Sequence, residues 1–222
     1  MEREPRGQVA GREPQHSVPP DAQAAHPGDA QRLSGAARPG RFAWGLTGSG
    51  HDLLESIALA ERLPRVDLFL SAAAEEVLPM YGIRLESLRE RFRLFRDKSA
   101  SSVPVGTLYE EHYHTMVIAP ATSNTVAKCA LGISDTLPTN MFAQAGKLGI
   151  PCFVFACDTE PVVVTRAPHD WVTLRPRRIE FDNVERLRAI DHCSVACSVA
   201  ELEAVLDARL RSLSLAWNTS SS

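Results

Sequence analysis

Three short segments of this chain group small, hydroxyl and amide residues where a strand gives way to a helix. The first is Gly45-Leu46-Thr47-Gly48-Ser49-Gly50, which follows an apolar run and leads into a helical stripe. Small residues let successive backbone N–H groups close on an anion, and a helix N-terminus adds a favourable field. The same glycines also suit a tight strand-to-helix turn, so this segment alone leaves both readings open. The second segment is the apolar run at residues 66–71, which ends in Ser71 before Ala72-Ala73-Ala74. A dinucleotide fold asks for G-x-G-x-x-G and for an acidic residue at the end of its second strand. Here the glycines run G-x-x-G-x-G and a hydroxyl stands where the carboxylate would be. A hydroxyl donates to a phosphate oxygen, whereas a carboxylate repels it. The pair of segments describes a mononucleotide phosphate pocket and argues against firmly bound NAD.

The third segment is Ala119-Pro120-Ala121-Thr122-Ser123-Asn124-Thr125-Val126-Ala127-Lys128. Pro120 closes a strand, and Thr122, Ser123 or Asn124 can cap the helix that follows while turning polar atoms toward a ligand. As bare chemistry this is a polar N-cap loop or one wall of a binding site.

Periodicity supplies the elements that must hold these loops. Continuous apolar runs predict strands at residues 42–47, 66–71, 115–119 and 151–156. Helical spacing predicts helices at 51–63, 74–81, 85–95, 123–131 and 139–148. Residues 98–107 read as a polar loop. Short strands are expected at 171–174 and 179–181, and helices at 184–189 and 199–213. Short apolar strands alternating with helices mark a doubly wound, Rossmann-like or flavodoxin-like parallel α/β sheet, here a single domain with a small C-terminal β/α extension. Ligands in such sheets bind at the carboxyl ends of the strands.

Composition bounds the remainder. The 222 residues, 44% hydrophobic and 23% charged, suit one α/β domain at residues 41–215, with a flexible tail expected at 216–222. A formal net charge of −3 gives no electrostatic case for nucleic acid or an anionic membrane. The apolar runs fall far short of the ~20 residues of a membrane span. Residues 1–40 hold six prolines and no aromatic residue, the composition of a disordered leader. Five acidic residues among five basic ones argue against a transit peptide. An odd set of cysteines (Cys129, Cys152, Cys157, Cys193, Cys197) with no secretory signal indicates reduced thiols and a cytoplasmic protein. Cys193 and Cys197 lack the partners a metal or cluster site needs.

The Pro120–Lys128 loop, followed by Gly132-Ile133-Ser134-Asp135-Thr136-Leu137, resembles the P-A-S/T-x-N-T-x-A-K…G-x-x-D-x-L signature of the homo-oligomeric flavin-containing cysteine decarboxylase superfamily of flavoproteins. With T-G-S at residues 47–49 and Ser71, the resemblance spans residues 41–158. It implies non-covalent FMN, with Gly48, Ser49 and Ser71 at the phosphate and Ala121, Thr122, Asn124 and Thr125 along the isoalloxazine ring. Thr47 and Ser123 complete this implied cofactor set. Asp135 would serve the turn and a subunit contact. Assembly from trimers, extending to a closed cage, is implied as well.

The chain also departs from the decarboxylases. The segment before the third strand has no His at the catalytic position, and no P-x-M-N-x-x-M-W clamp follows the fourth strand. His112 and His114 are misplaced for that role and read as surface or interface residues. Instead V-G-T-L-Y at 105–109, A-K-C-A-L-G-I-S-D-T-L at 127–137 and R-I-E-F-D-N-V-E-R-L-R at 178–188 are similar to flavoprotein-type dihydromethanopterin reductases. That likeness implies an FMN-dependent oxidoreductase of tetrahydromethanopterin-linked one-carbon metabolism. Hydride would pass from reduced FMN to a dihydropterin, with Asn124 orienting substrate or flavin. The electron donor would be NAD(P)H or a redox protein. The alternatives are a phosphopantothenoylcysteine-type decarboxylase and a flavin electron-transfer module.

Overall fold

The computed structural model describes residues 40–98, 102–110 and 113–218. Six strands form one sheet in the order β3-β2-β1-β4-β5-β8, and every neighbouring pair is parallel. They are β1 (Arg41–Leu46), β2 (Val66–Leu70), β3 (Arg93–Arg96), β4 (Tyr113–Ala121), β5 (Cys152–Ala156) and β8 (Cys193–Ala196). A separate antiparallel hairpin, β6 (Val163–Arg166) and β7 (Trp171–Leu174), follows β5. The chain winds outward from β1 through β2 to β3, then returns to place β4 on the other side of β1. The order therefore reverses between β1 and β4.

Helices cover both faces because the strands are apolar on both sides. On one face Phe42, Trp44 and Leu46 pack with Leu68, Leu70 and Val117 under α1 (Leu53–Arg62) and α8 (Val199–Ser212). The alternate residues Ala43, Phe69, Met116 and Ile118 face α4 (Ser102–Glu110), α5 (Ser123–Ala130), α6 (Leu137–Lys147) and α7 (Arg178–Arg188). The period of two along each strand sends neighbours to opposite cores. Each fully buried large side chain, Trp44 and Phe69 among them, contributes roughly 1.5–3 kcal/mol. The C-terminal β/α extension supplies the sixth strand and a helix to each face.

Three local readings are corrected. The helix expected at 85–95 stops early: α3 is Leu85–Arg89, and residues 93–96 become the edge strand β3. Pairing with β2 and the stacking of Phe95 on Phe69, at 4.7 Å between ring centroids, outweigh the helical spacing of Phe92 and Phe95. The polar loop expected at 98–107 holds α4 from Ser102 onward, with residues 99–101 outside the described set. Val105 and Leu108 are one turn apart and both bury against the sheet, and the Thr107 hydroxyl donates to the Pro104 carbonyl at 2.6 Å. The strand expected at 179–181 is instead the first turn of α7. Glu180 there accepts the Arg177 N–H at the helix start and also pairs with the Arg177 guanidinium. Strands β6 and β8 were not anticipated. The second helix, α2 (Ala72–Val77), starts two residues before the expected 74–81 stretch and closes in a 3₁₀ turn, Leu78–Tyr81.

Candidate functional site

The strand ends that carry the three polar segments meet where the sheet order reverses. In an open α/β sheet this switch point is where adjacent loops part to opposite faces and leave a crevice. Thr47 follows β1, Ser71 follows β2, Ala121 ends β4 and Cys157 follows β5.

Hydrogen bonds knit these ends together. The buried Thr47 hydroxyl donates to the Pro120 carbonyl at 2.7 Å and accepts the Thr122 N–H at 3.1 Å. The Ser71 N–H reaches the Leu46 carbonyl at 3.0 Å, and the Cys157 N–H reaches Ala121 at 3.2 Å. Ser49 Oγ lies 3.2 Å from Cys157 Sγ and accepts the His51 N–H at 3.2 Å. Gly48 touches the start of α2: a Cβ there would lie 2.7 Å from Ala73 Cβ, so only glycine lets the two loops approach. The Ala119–Pro120 peptide is cis.

The structure thus brings together Thr47, Gly48, Ser49, Ser71, Ala121, Thr122 and Thr125, and it divides their roles. Ser71 caps α2, its Oγ accepting the Ala74 N–H at 3.0 Å, which leaves the hydroxyl proton free to donate outward. Thr122 caps α5 in the same way, accepting the Thr125 N–H at 3.1 Å while its Oγ1 meets Thr125 Oγ1 at 3.0 Å. Thr125 is buried in this cap, whereas Asn124 is exposed and Ser123 half-buried. Among the described residues, no group accepts the backbone N–H of Gly48, Ser49 or Gly50. The donor set is neutral: loop amides, two serine hydroxyls and the helix starts of α2 and α5. Such a set suits the oxygens of a phosphate monoester, so the residues fit the mononucleotide that the sequence implies. The nearby Asp52 carboxylate is partnered by His51 Nε2 at 3.3 Å.

Several residues lie outside the crevice. His114 sits near the opposite end of β4, half-buried, with its ring edge-on to Phe42 at 4.5 Å. Burial and the Arg209 charge lower its pKa to about 4. It is half-buried and packed on Phe42, and His112 lies outside the described residues. Asp135 pairs with Lys128 Nζ at 2.9 Å and so closes the turn between α5 and α6. The Cys157 thiol is pushed up to about 12 by burial and stays protonated. Cys129, Cys152 and Cys193 are likewise raised by burial, and all five cysteines are free.

Sequence reasoning missed two features around the crevice. One is Cys157, whose thiol supports Ser49 from β5; its position just past an apolar strand was the available signal. The other is a cleft of about 380 Å³ beside the first loop, between α1, the 3₁₀ turn and the β6–β7 hairpin. It needed an unanticipated strand, so no local pattern pointed to it.

Known proteins share this fold. A crystal structure of Burkholderia xenovorans DmrB in complex with FMN, described as a cubic protein cage for redox transfer, is 68% identical with a TM-score of 0.75. The match covers 79% of this chain and 98% of that one. A dihydromethanopterin reductase (acceptor) of Methanosarcina mazei is 38% identical over 144 residues, 59% of this chain and 60% of that protein. This chain therefore spans about three-fifths of that reductase. A phenylacrylic acid decarboxylase from Aquifex aeolicus, 17% identical over 82% of this chain and 100% of its own, shares the fold with a TM-score of 0.56. No helix among the described residues is long and apolar enough to cross a membrane. The Flavoprotein family model matches residues 31–211, most of the chain, and this chain therefore belongs to the Flavoprotein family.

Proposed function

We propose that this protein is an FMN-dependent oxidoreductase that reduces a dihydropterin, dihydromethanopterin in the first instance, to the tetrahydro form. The observation that carries the reading is the convergence of the Gly48–Gly50 amides and the Ser49 and Ser71 hydroxyls at the β1/β4 switch point as neutral donors, on loops tied together by the Thr47 bridge to Pro120 and Thr122. Bound FMN supplies hydride chemistry that no side chain of the crevice can perform.

The chain's own part is to bind, orient and exclude water. The Gly48–Gly50 amides and the Ser49 and Ser71 hydroxyls would hold the phosphate. Ala121, Thr122, Ser123 and Thr125 form a wall stiffened by the Thr47 bridge and would line the isoalloxazine ring. Asn124 stands exposed on that wall, its amide without a hydrogen-bond partner among the described residues and so available to orient a planar partner. Holding two reactants in contact removes the entropic cost of their encounter. Electrons reach the site from NAD(P)H or a redox protein. The protein works in the cytoplasm as a homo-oligomer built from trimers, up to a closed cage. The exposed Leu131, Ile133 and Leu148 offer apolar surface for that assembly.

The test has two steps. Denatured protein should release FMN rather than FAD, and chemically reduced holoprotein should be reoxidised anaerobically by dihydromethanopterin or a dihydropterin analogue. Reduced protein that ignores every dihydropterin yet passes electrons to a protein acceptor would overturn the substrate assignment.

A further inference from the structure

We propose that the cleft beneath the β6–β7 hairpin is the docking site for the pterin end of the second reactant. Trp171 serves as its stacking platform, and the Glu55 carboxylate accepts the paired N–H groups of its 2-amino-4-oxo edge. The inference rests on the dihydropterin reading above and names the residues that would recognise that substrate.

The cleft has the dimensions and walls of a small-molecule site. Its volume of about 380 Å³ accommodates a two-ring heterocycle with room for a substituent. Leu54, Met80, Val164 and Trp171 line it while remaining 50%, 59%, 57% and 66% exposed. An apolar surface left open in this way is suited to a flat aromatic partner, and an indole offers both area and a π-face.

The polar wall is selective in its chemistry. His51, Asp52 and Glu55 line the same cleft from the start of α1. Asp52 is engaged by His51, while Glu55 is exposed and makes no ion pair among the described residues. A pterin carries a ring N–H beside an exocyclic amine, two parallel donors at the spacing of one carboxylate's oxygens. Paired charge-assisted hydrogen bonds of this kind are strong and orienting.

The hairpin is held in position over the cleft. Tyr81 Oη donates to the Arg166 carbonyl at 2.8 Å and packs against Gly50, where a Cβ would lie 1.8 Å from that oxygen. His51 and Asp52 directly follow the Thr47–Gly50 loop, so an occupant of the cleft lies beside the phosphate loop.

The experiment uses FMN-loaded protein, Trp171→Ala, Glu55→Gln, and 7,8-dihydrobiopterin as the probe. Each substitution should weaken equilibrium binding of the probe ~10-fold, by dialysis, and raise KM in step with little change in kcat. FMN content and the flavin spectrum should stay at the level of the unaltered protein. Probe affinity unchanged in both variants overturns the proposal. So does loss of FMN from either variant, since the cleft would then belong to the cofactor. If the unaltered protein binds the probe but does not reduce it, the reductase reading fails. The cleft assignment then stands or falls on whether the two substitutions weaken that binding. Failure of the unaltered protein to bind the probe overturns the cleft.

Discussion

The Thr47 side chain bridges two strand ends 73 residues apart in the chain, donating to Pro120 at 2.7 Å and accepting from Thr122 at 3.1 Å. The bridge is buried, so Thr47→Val leaves an acceptor and a donor without partners inside the protein. Such a loss costs about 1–3 kcal/mol. The expected outcome is a lower thermal midpoint together with reduced FMN content, measured by calorimetry and by flavin absorbance on the same preparation.

Ser71 allows cap and charge to be separated. Aspartate is as good an N-cap as serine, so Ser71→Asp keeps the bond to Ala74 N–H and the start of α2. It also places a carboxylate against the phosphate. Ser71→Asp should fold with a near-native midpoint yet purify without flavin, whereas Ser71→Ala should lose about 1 kcal/mol of stability and retain part of its FMN.

Asn124 is exposed at the start of α5, while its neighbours Thr122 and Thr125 are spent on the cap. Asn124→Ala should leave the fold and FMN content unchanged and slow anaerobic reoxidation by a dihydropterin ~10-fold. Stopped-flow traces of the reduced protein check this. An unaltered rate would remove Asn124 from the site.

Gly50 carries no side chain because Tyr81 occupies that space. Gly50→Ala should push the Tyr81 ring away, break its bond to Arg166 and free the β6–β7 hairpin. Faster hydrogen exchange confined to residues 163–174, with the six-stranded sheet still protected, is the expected signature.

His114 predicts a pH response with a definite sign. Its pKa falls from 6.5 to about 4 on folding, chiefly through burial, so the unfolded chain binds the proton more readily. The stability tied to its neutral form is complete above pH 6.5 and drains away as the pH falls toward 4. Replacing it with a group that does not titrate, as in His114→Gln, should flatten the dependence of the thermal midpoint on pH within that window. Partial exposure screens the effect and keeps it modest.

The sequence alone carried the parallel sheet and the strand ends where its polar loops gather. Apolar runs at β1, β2, β4 and β5 are buried on both faces, and burial on both faces leaves a pattern that one chain displays by itself. Gly48, Ser49, Ser71 and Thr122 were legible because loop geometry and helix capping are local and depend on residue type. What stayed hidden was set by partners distant in the chain. Residues 93–96 became a strand because β2 offered an unpaired edge. Residues 102–110 became a helix because Val105 and Leu108 found a sheet face to cover. The Thr47–Pro120 bridge, the Cys157 support of Ser49 and the cleft between α1 and the β6–β7 hairpin join segments that only the folded sheet brings together. Burial and hydrogen bonding across those distances decide them, and no local pattern encodes either.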